Sequence, residues 1–389
     1  MNQRIKTIIL IIVLVGIAGA ILLLESMKVP QTRGEPQTVQ KIAPQSNSGT
    51  STNTSARTDQ ENIQRIADKT KKFTAAKELI PGGKFINTPE LKLKDIVGKK
   101  VILLDFWTYS CINCLRTLPY LKEWHKKYSD KGLVIIGVHT PEFDFEKNSD
   151  NVAKAVKDLG VPYPVMQDNN YATWNAYGNQ YWPHEYLIDI DGFIVHDHIG
   201  EGSYDETETA IQNALQERSN VLNMGITVGN KITAPSDAIS FNSSAVQSPE
   251  IYFGYARNEY LANGQRSVSG TQHLTVPSTI DPNMLYLDGD WNFNQQFAEN
   301  TNEPSRILFK YNAKNVYIVA SSDKGVTVTV LKDGRPLVTE AGKDVRPDGT
   351  VLIKDNRLYR LIEGADYGQH TIEIIIHQHG LRAFTFTFG

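Results

Sequence analysis

The sequence predicts an α/β domain with a partly parallel sheet, followed by an all-β sandwich, behind a single N-terminal transmembrane helix. Three observations predict it. Residues 8–24 form an unbroken apolar run, a middle region alternates apolar strands with amphipathic stretches, and the last third holds short alternating strands without helical periodicity. A near balance of 40 Lys+Arg against 43 Asp+Glu leaves a net charge of −3, which excludes a dominant nucleic-acid surface.

The apolar run comes first. As a helix, residues 8–24 cover about 25 Å, enough to cross a thin bilayer. Arg4 and Lys6 precede the run, so the short N-terminus stays cytoplasmic and the bulk of the chain is extracytoplasmic. Ala18-Gly19-Ala20 would suit a cleaved signal peptide, but the apolar run continues through Leu24 and favours an uncleaved membrane anchor over residues 1–27. Residues 28–72 contain no aromatic side chain and are rich in Gln, Ser, Thr, Asn, Pro and Lys. They read as a flexible linker, with a short helix at residues 59–72.

Residues 73–219 form the α/β unit. "KVILLDFW" (100–107) and "GLVIIGVH" (132–139) are buried strands, and Leu115, Leu118, Leu121 and Trp124 fall on one helical face between them. Val152, Ala155, Val156 and Leu159 mark a second helix, Asp191-Gly192 a hairpin turn, and residues 205–215 a closing helix. Residues 225–389 carry "GVTVTVLKDGRPLV", "HTIEIII" and "AFTFTF", the pattern of a β-sandwich.

The chain has two cysteines, Cys111 and Cys114, placed where a buried strand gives way to a helix. As a staple they would close a loop worth only about 2 kcal/mol, against about 3 for fifteen residues. A zinc site needs four ligands, and no second cysteine pair exists. Redox chemistry suits the spacing better. At a helix N-terminus the first sulfur meets unpaired N–H groups that favour its thiolate, and the second sits one turn on, within reach of a mixed disulfide.

"DFWTYSCINC" resembles the strand–active-site–helix segment of the thioredoxin fold, and residues 73–219 are similar to extracytoplasmic reductases of the TlpA type. "FWTYSCINCLRTLPYLKEWH", "GVHTPEF" and "YATWNAYGNQYWPHEYLIDIDG" look like segments of the DipZ family, and the region ending in "FTFG" resembles its C-terminal β domain. DipZ proteins carry a multi-helix membrane domain, whereas this sequence has a single anchor. The resemblance therefore implies a separate membrane electron donor of the CcdA type. It further implies protein thiol or disulfide substrates, and no cofactor beyond a redox-active Cys111–Cys114 disulfide. Cytochrome c maturation and oxidised-cysteine repair are among the implied roles.

By the same resemblance, Cys111 is the attacking thiol, Cys114 the resolving one, Asp105 the buried acid, Glu142 an active-site glutamate, and Pro183 the cis-proline facing the sulfurs. From the residues alone, Asp105 is equally a strand-end side chain bonded to backbone, and Glu142 equally a solvated loop acid. Trp107, Tyr109 and Trp182 are candidates for an apolar substrate rim, though Trp107 suits a core position as well. Ile112 and Asn113 place no cation between the cysteines, which favours a low potential and hence a reductant.

Weaker signals remain. His196-Asp197-His198 and His377-Gln378-His379 each pair two imidazoles on a strand face, and surface histidines explain them better than a metal. Thr108-x-x-Cys111 resembles a peroxidase site without its upstream proline, so a thiol peroxidase is one alternative. Trp291 and Phe293 in "LDGDWNFN" would suit either a core or a sugar-stacking platform, which leaves a carbohydrate-binding surface protein as another.

Overall fold

A computed structural model of the chain describes residues 52–239 and 242–389, and the expected anchor lies outside them. Among the described residues, no helix is long and apolar enough to cross a membrane.

Helix α1 (Thr52–Lys72) occupies the last part of the expected flexible linker, beginning earlier than the sequence predicts. Ions rather than an apolar stripe hold it. Lys69 Nζ lies 2.6 Å from Asp189 and 2.8 Å from Asp191, Arg65 lies 2.8 Å from Asp191, and Ile63 and Ile66 stay exposed. That is why the segment's composition resembles a linker.

The α/β region has strands β1 (Thr74–Ala75), β2 (Phe85–Ile86), β3 (Val101–Trp107), β4 (Leu133–His139), β5 (Val165–Gln167), β6 (His184–Ile188) and β7 (Phe193–Ile199), in the order β1-β7-β6-β3-β4-β5-β2. The β3–β4 and β4–β5 pairs are parallel and the others antiparallel. Its helices are α2 (Leu93–Ile96), α3 (Ile112–Tyr128), α4 (Ser149–Asp158), α5 (Ala172–Ala176) and α6 (Tyr204–Val221). Every residue of β3 is buried, which explains its near-continuous apolar sequence. Leu103 and Trp107 pack on one face with Leu118, Leu121 and Trp124 of α3 and Ile211 of α6, while Leu104 and Phe106 pack on the other with Met166 and Tyr186.

The C-terminal region contains β8 (Ile251–Tyr252), β9 (Gly270–Leu274), β10 (Leu285–Phe293), β11 (Ala298–Asn300), β12 (Ser305–Ser321), β13 (Val326–Lys332), β14 (Arg335–Pro336), β15 (Thr350–Ile353), β16 (Arg357–Ile376) and β17 (Arg382–Phe388). The strands expected to form a sandwich are all hydrogen-bonded into one ten-stranded sheet. The cause is strand length. β12 pairs β10 through Arg306–Phe309 and β17 from Val316 onward, while β16 follows it throughout, with register shifts around residues 313–317 that let both strands bend. Asp333 and Gly334 both take positive φ in the tight turn from β13 to β14, as the Asp-Gly pair predicts.

Burial along β12 alternates up to Lys314 and is continuous from Asn315. The second half has no wet face, because Tyr317 and Val319 join Leu358 and Phe384 against Ile112 and Phe143 of the α/β region. Phe384 stacks edge-on at 5.2 Å from Phe143 and 4.9 Å from Phe145. Phe384→Ala should cost about 3 kcal/mol or more. Calorimetry should show one unfolding transition for the wild type and two for the variant. An unchanged single transition would contradict this coupling.

Candidate active site

The geometry of the β3–α3 junction begins with Cys111, which caps α3. Its Sγ accepts the Cys114 backbone N–H at 3.4 Å, replacing the usual oxygen cap. Cys111 is half-buried and Cys114 buried, and both are free thiols. Desolvation pushes the Cys114 thiol well above its ordinary pKa, and the hydrogen bond to Cys111 and the nearby Cys111 and Asp105 charges act in the same direction. The Trp182 carbonyl lies 3.9 Å from Cys111 Sγ, and the Trp182–Pro183 peptide that follows it is cis.

Asp105 lies beneath. Complete burial raises its carboxyl to about 7, with one oxygen left without a hydrogen-bond partner among the described residues. A carboxyl titrating there can exchange protons at neutral pH.

Glu142 follows β4 and lines the cleft that holds Cys111. Its Oε1 accepts from Arg257 at 2.8 Å and from the Tyr252 hydroxyl at 2.9 Å, both on the C-terminal region. The cleft has a volume of about 270 Å³, walled on one side by Trp182 and Glu142 and on the other by Tyr252, Arg257, Thr385 and Thr387.

The three rim candidates separate. Trp182 lines the cleft, with its Nε1 donating to the Thr140 carbonyl. Trp107 is fully buried in the core, because β3 is covered on both faces, and is not part of a rim. Tyr109 is buried too, stacked on His139 at 5.6 Å, and faces a separate groove beside α4. It does not line the cleft that holds Cys111.

Among the described residues no group of three or more His, Cys, Asp or Glu side chains is placed to hold a metal ion. His377 bonds Thr329 and His196 bonds Thr207. Trp291 and Phe293 are core residues, which removes the proposed sugar platform.

Sequence reasoning missed four residues. Glu146, fully buried, accepts from Ser110 at 2.6 Å and from the Glu142 and Phe143 N–H groups at 2.7 and 2.9 Å, fastening the loop after β4 to the cysteine turn. Desolvation raises its pKa to about 7. In "FEK" it reads as a surface acid, and only the return of the chain to Ser110 reveals it. Arg257 and Tyr252 lie more than a hundred residues from Glu142, beyond any local pattern. Glu185 carries an alternation signal, since it occupies a buried-facing position in "HEYLI".

Residues 75–215 match the Redoxin family, and residues 248–389 match the family described as a thioredoxin-like C-terminal domain. Over 310 residues, 78% of this chain and 41% of the relative, the sequence is 37% identical to the protein DipZ of Mycobacterium bovis. The chain is a DipZ-related thioredoxin-like protein. It spans about two fifths of the length of that curated relative. It is also 34% identical over 119 residues to the thiol-disulfide oxidoreductase ResA of Bacillus thuringiensis, covering 31% of this chain and 65% of ResA. To the thiol-disulfide oxidoreductase YkuV of Bacillus subtilis it is 26% identical over 128 residues, covering 33% of this chain and 86% of YkuV.

The raised carboxyl has a stability consequence. Between about pH 4 and 7 the unfolded chain loses the Asp105 proton while the folded chain keeps it, so stability falls as pH rises through that window. Asp105→Asn should remove this share of the slope and leave the variant more stable at pH 8, with a ceiling of about 4 kcal/mol. Urea unfolding at pH 4.5 and pH 8 measures it. An identical pH dependence in both proteins would place the Asp105 pKa near its ordinary value.

Proposed function

We propose that the chain is a membrane-anchored, extracytoplasmic reductase of protein disulfides. The observation that carries this reading is the pairing of an accessible sulfur, Cys111 at a helix N-terminus inside a cleft, with a covered one, Cys114, above a carboxyl of raised pKa. The Cys111 thiolate attacks one sulfur of a client disulfide, and the other client sulfur leaves as a thiolate and takes up a proton. Cys114 passes its proton to Asp105 and attacks Cys111 Sγ. That forms the Cys111–Cys114 disulfide and releases the second client thiol. The client gains two electrons and the cysteine pair loses two, to be restored by a membrane donor such as one of the CcdA type.

The cleft supports an extended or flexible client segment. Its two walls belong to different regions, and its volume suits a few residues rather than a protein surface. Exported proteins with oxidised cysteine pairs fit, including apocytochromes c before haem attachment. A segment at residues 28–51 would tether the catalytic region to an anchor at residues 1–27.

Trapping tests the roles. Cys114→Ser should accumulate mixed disulfides with client proteins through Cys111, and Cys111→Ser should accumulate none. Equal trapping by the two variants would contradict the assignment.

A further inference from the structure

We infer that Glu185 is a positioning residue that shares a proton with Asp105 and, through His198, connects the buried Cys114 thiol to the surface. The inference rests on the reductase reading above. The three side chains stand in one row across the sheet. Asp105 of β3 is directly opposite Glu185 of β6, and Glu185 is directly opposite His198 of β7. Directly opposed residues of antiparallel strands project to the same face, with Cβ atoms about 5 Å apart. That face lies under α3, which carries Cys114, and α6.

Among the described residues Glu185 has no cationic partner that would hold a buried carboxylate. It is 2% exposed, and among the described residues neither carboxyl oxygen has a partner at close hydrogen-bond distance; the neutral Thr207 hydroxyl is the one donor that bears on it. Asp105 Oδ1, the Tyr163 hydroxyl and His198 Nε2 are likewise buried and unpaired. The groups facing Glu185 are Asp105 from β3, Tyr163 from the segment before β5, Tyr204 and Thr207 from α6, and His198 from β7. The Thr207 hydroxyl is turned to His196 Nε2 at 3.1 Å. None of these groups is a lysine or arginine. Burial and the neighbouring Asp105 charge hold the Glu185 carboxyl well above its ordinary range.

Two adjacent buried carboxyl groups without a cation do not both ionise. Near neutral pH they hold one proton between them. When Cys114 resolves the mixed disulfide, its proton passes to the ionised member of the pair. Its sulfur forms the bond to Cys111 Sγ, and the client sulfur departs as a thiolate that takes a proton from solvent. The doubly protonated pair then releases one proton by way of His198, which restores the starting charge.

The test follows resolution of a preformed Cys111–client mixed disulfide by stopped-flow tryptophan fluorescence, together with carboxyl-carbon NMR titration, on the same protein. In the wild type, Asp105 and Glu185 should titrate together in two steps. Glu185→Gln should slow resolution about tenfold and convert the Asp105 titration to a single step, and His198→Gln should slow resolution while leaving the two-step titration intact. A wild-type rate in either variant overturns the path, as does a slowed Glu185→Gln protein whose Asp105 titration is unchanged. If Glu185→Gln does not fold, the wild-type titration decides: a single-step Asp105 titration independent of Glu185 overturns the inference. Absence of client reduction by the wild type would instead count against the reductase reading, because the titration is read without a client.

Discussion

Holding the Asp105 carboxyl out of water is the constraint on which the rest of the site depends. Strand β3 is buried at every residue, so the Asp105 side chain within it cannot reach solvent on either face. Burying that carboxylate is costly, and the fold meets the cost by letting the group stay protonated up to about pH 7. A proton acceptor poised near neutrality requires a dry environment, and α3 supplies it by laying Cys114 over the strand end. The same cover buries Cys114 and raises its pKa, so the resolving thiol needs the base beneath it. Acid, thiol and helix are one arrangement.

The C-terminal region completes that arrangement from the other side. Its bent strand β12 and the Phe384 ring meet the active-site helix and the loop after β4, and its Arg257 and Tyr252 fix Glu142 at the mouth of the cleft. A half-exposed ion pair such as Arg257–Glu142 contributes little stability by itself. Its consequence is geometric, because it sets one wall of the cleft at a fixed place relative to Cys111. Glu146 does the same from within the α/β region by tying Ser110 to the backbone of residues 142 and 143.

Legibility in the sequence followed the range of the interactions. Strands β3 and β4, helix α3, the two Asp-Gly turns and the cysteine pair were all visible, because periodicity and turn chemistry are local. The cis bond at Pro183 came from resemblance, not from any local signal. Helix α1 was legible only over residues 59–72 and not as a packed element, because salt bridges to Asp189 and Asp191 hold it, and such pairs leave no periodic trace. Trp107 looked like a rim candidate because an aromatic beside a cysteine motif fits a core as well as a surface, and only the second covering layer decides. The continuous C-terminal sheet was unreadable for a related reason: one long bent strand and two short strands have the same alternation.

The central claim is that this cysteine pair donates electrons. Its reduction potential, measured on the full chain by equilibration in dithiothreitol redox buffers at pH 7, tests that claim most directly. The helix N-terminus and the nearby Arg116 guanidinium favour a thiolate at Cys111. No cation lies between the cysteines, however, and the buried Asp105 charge opposes a thiolate at Cys114, which keeps the reduced form short of the stabilisation a strong oxidant has. The potential should lie near the roughly −270 mV of thioredoxin, and a value near the roughly −120 mV of DsbA would contradict the account and make the protein an oxidant.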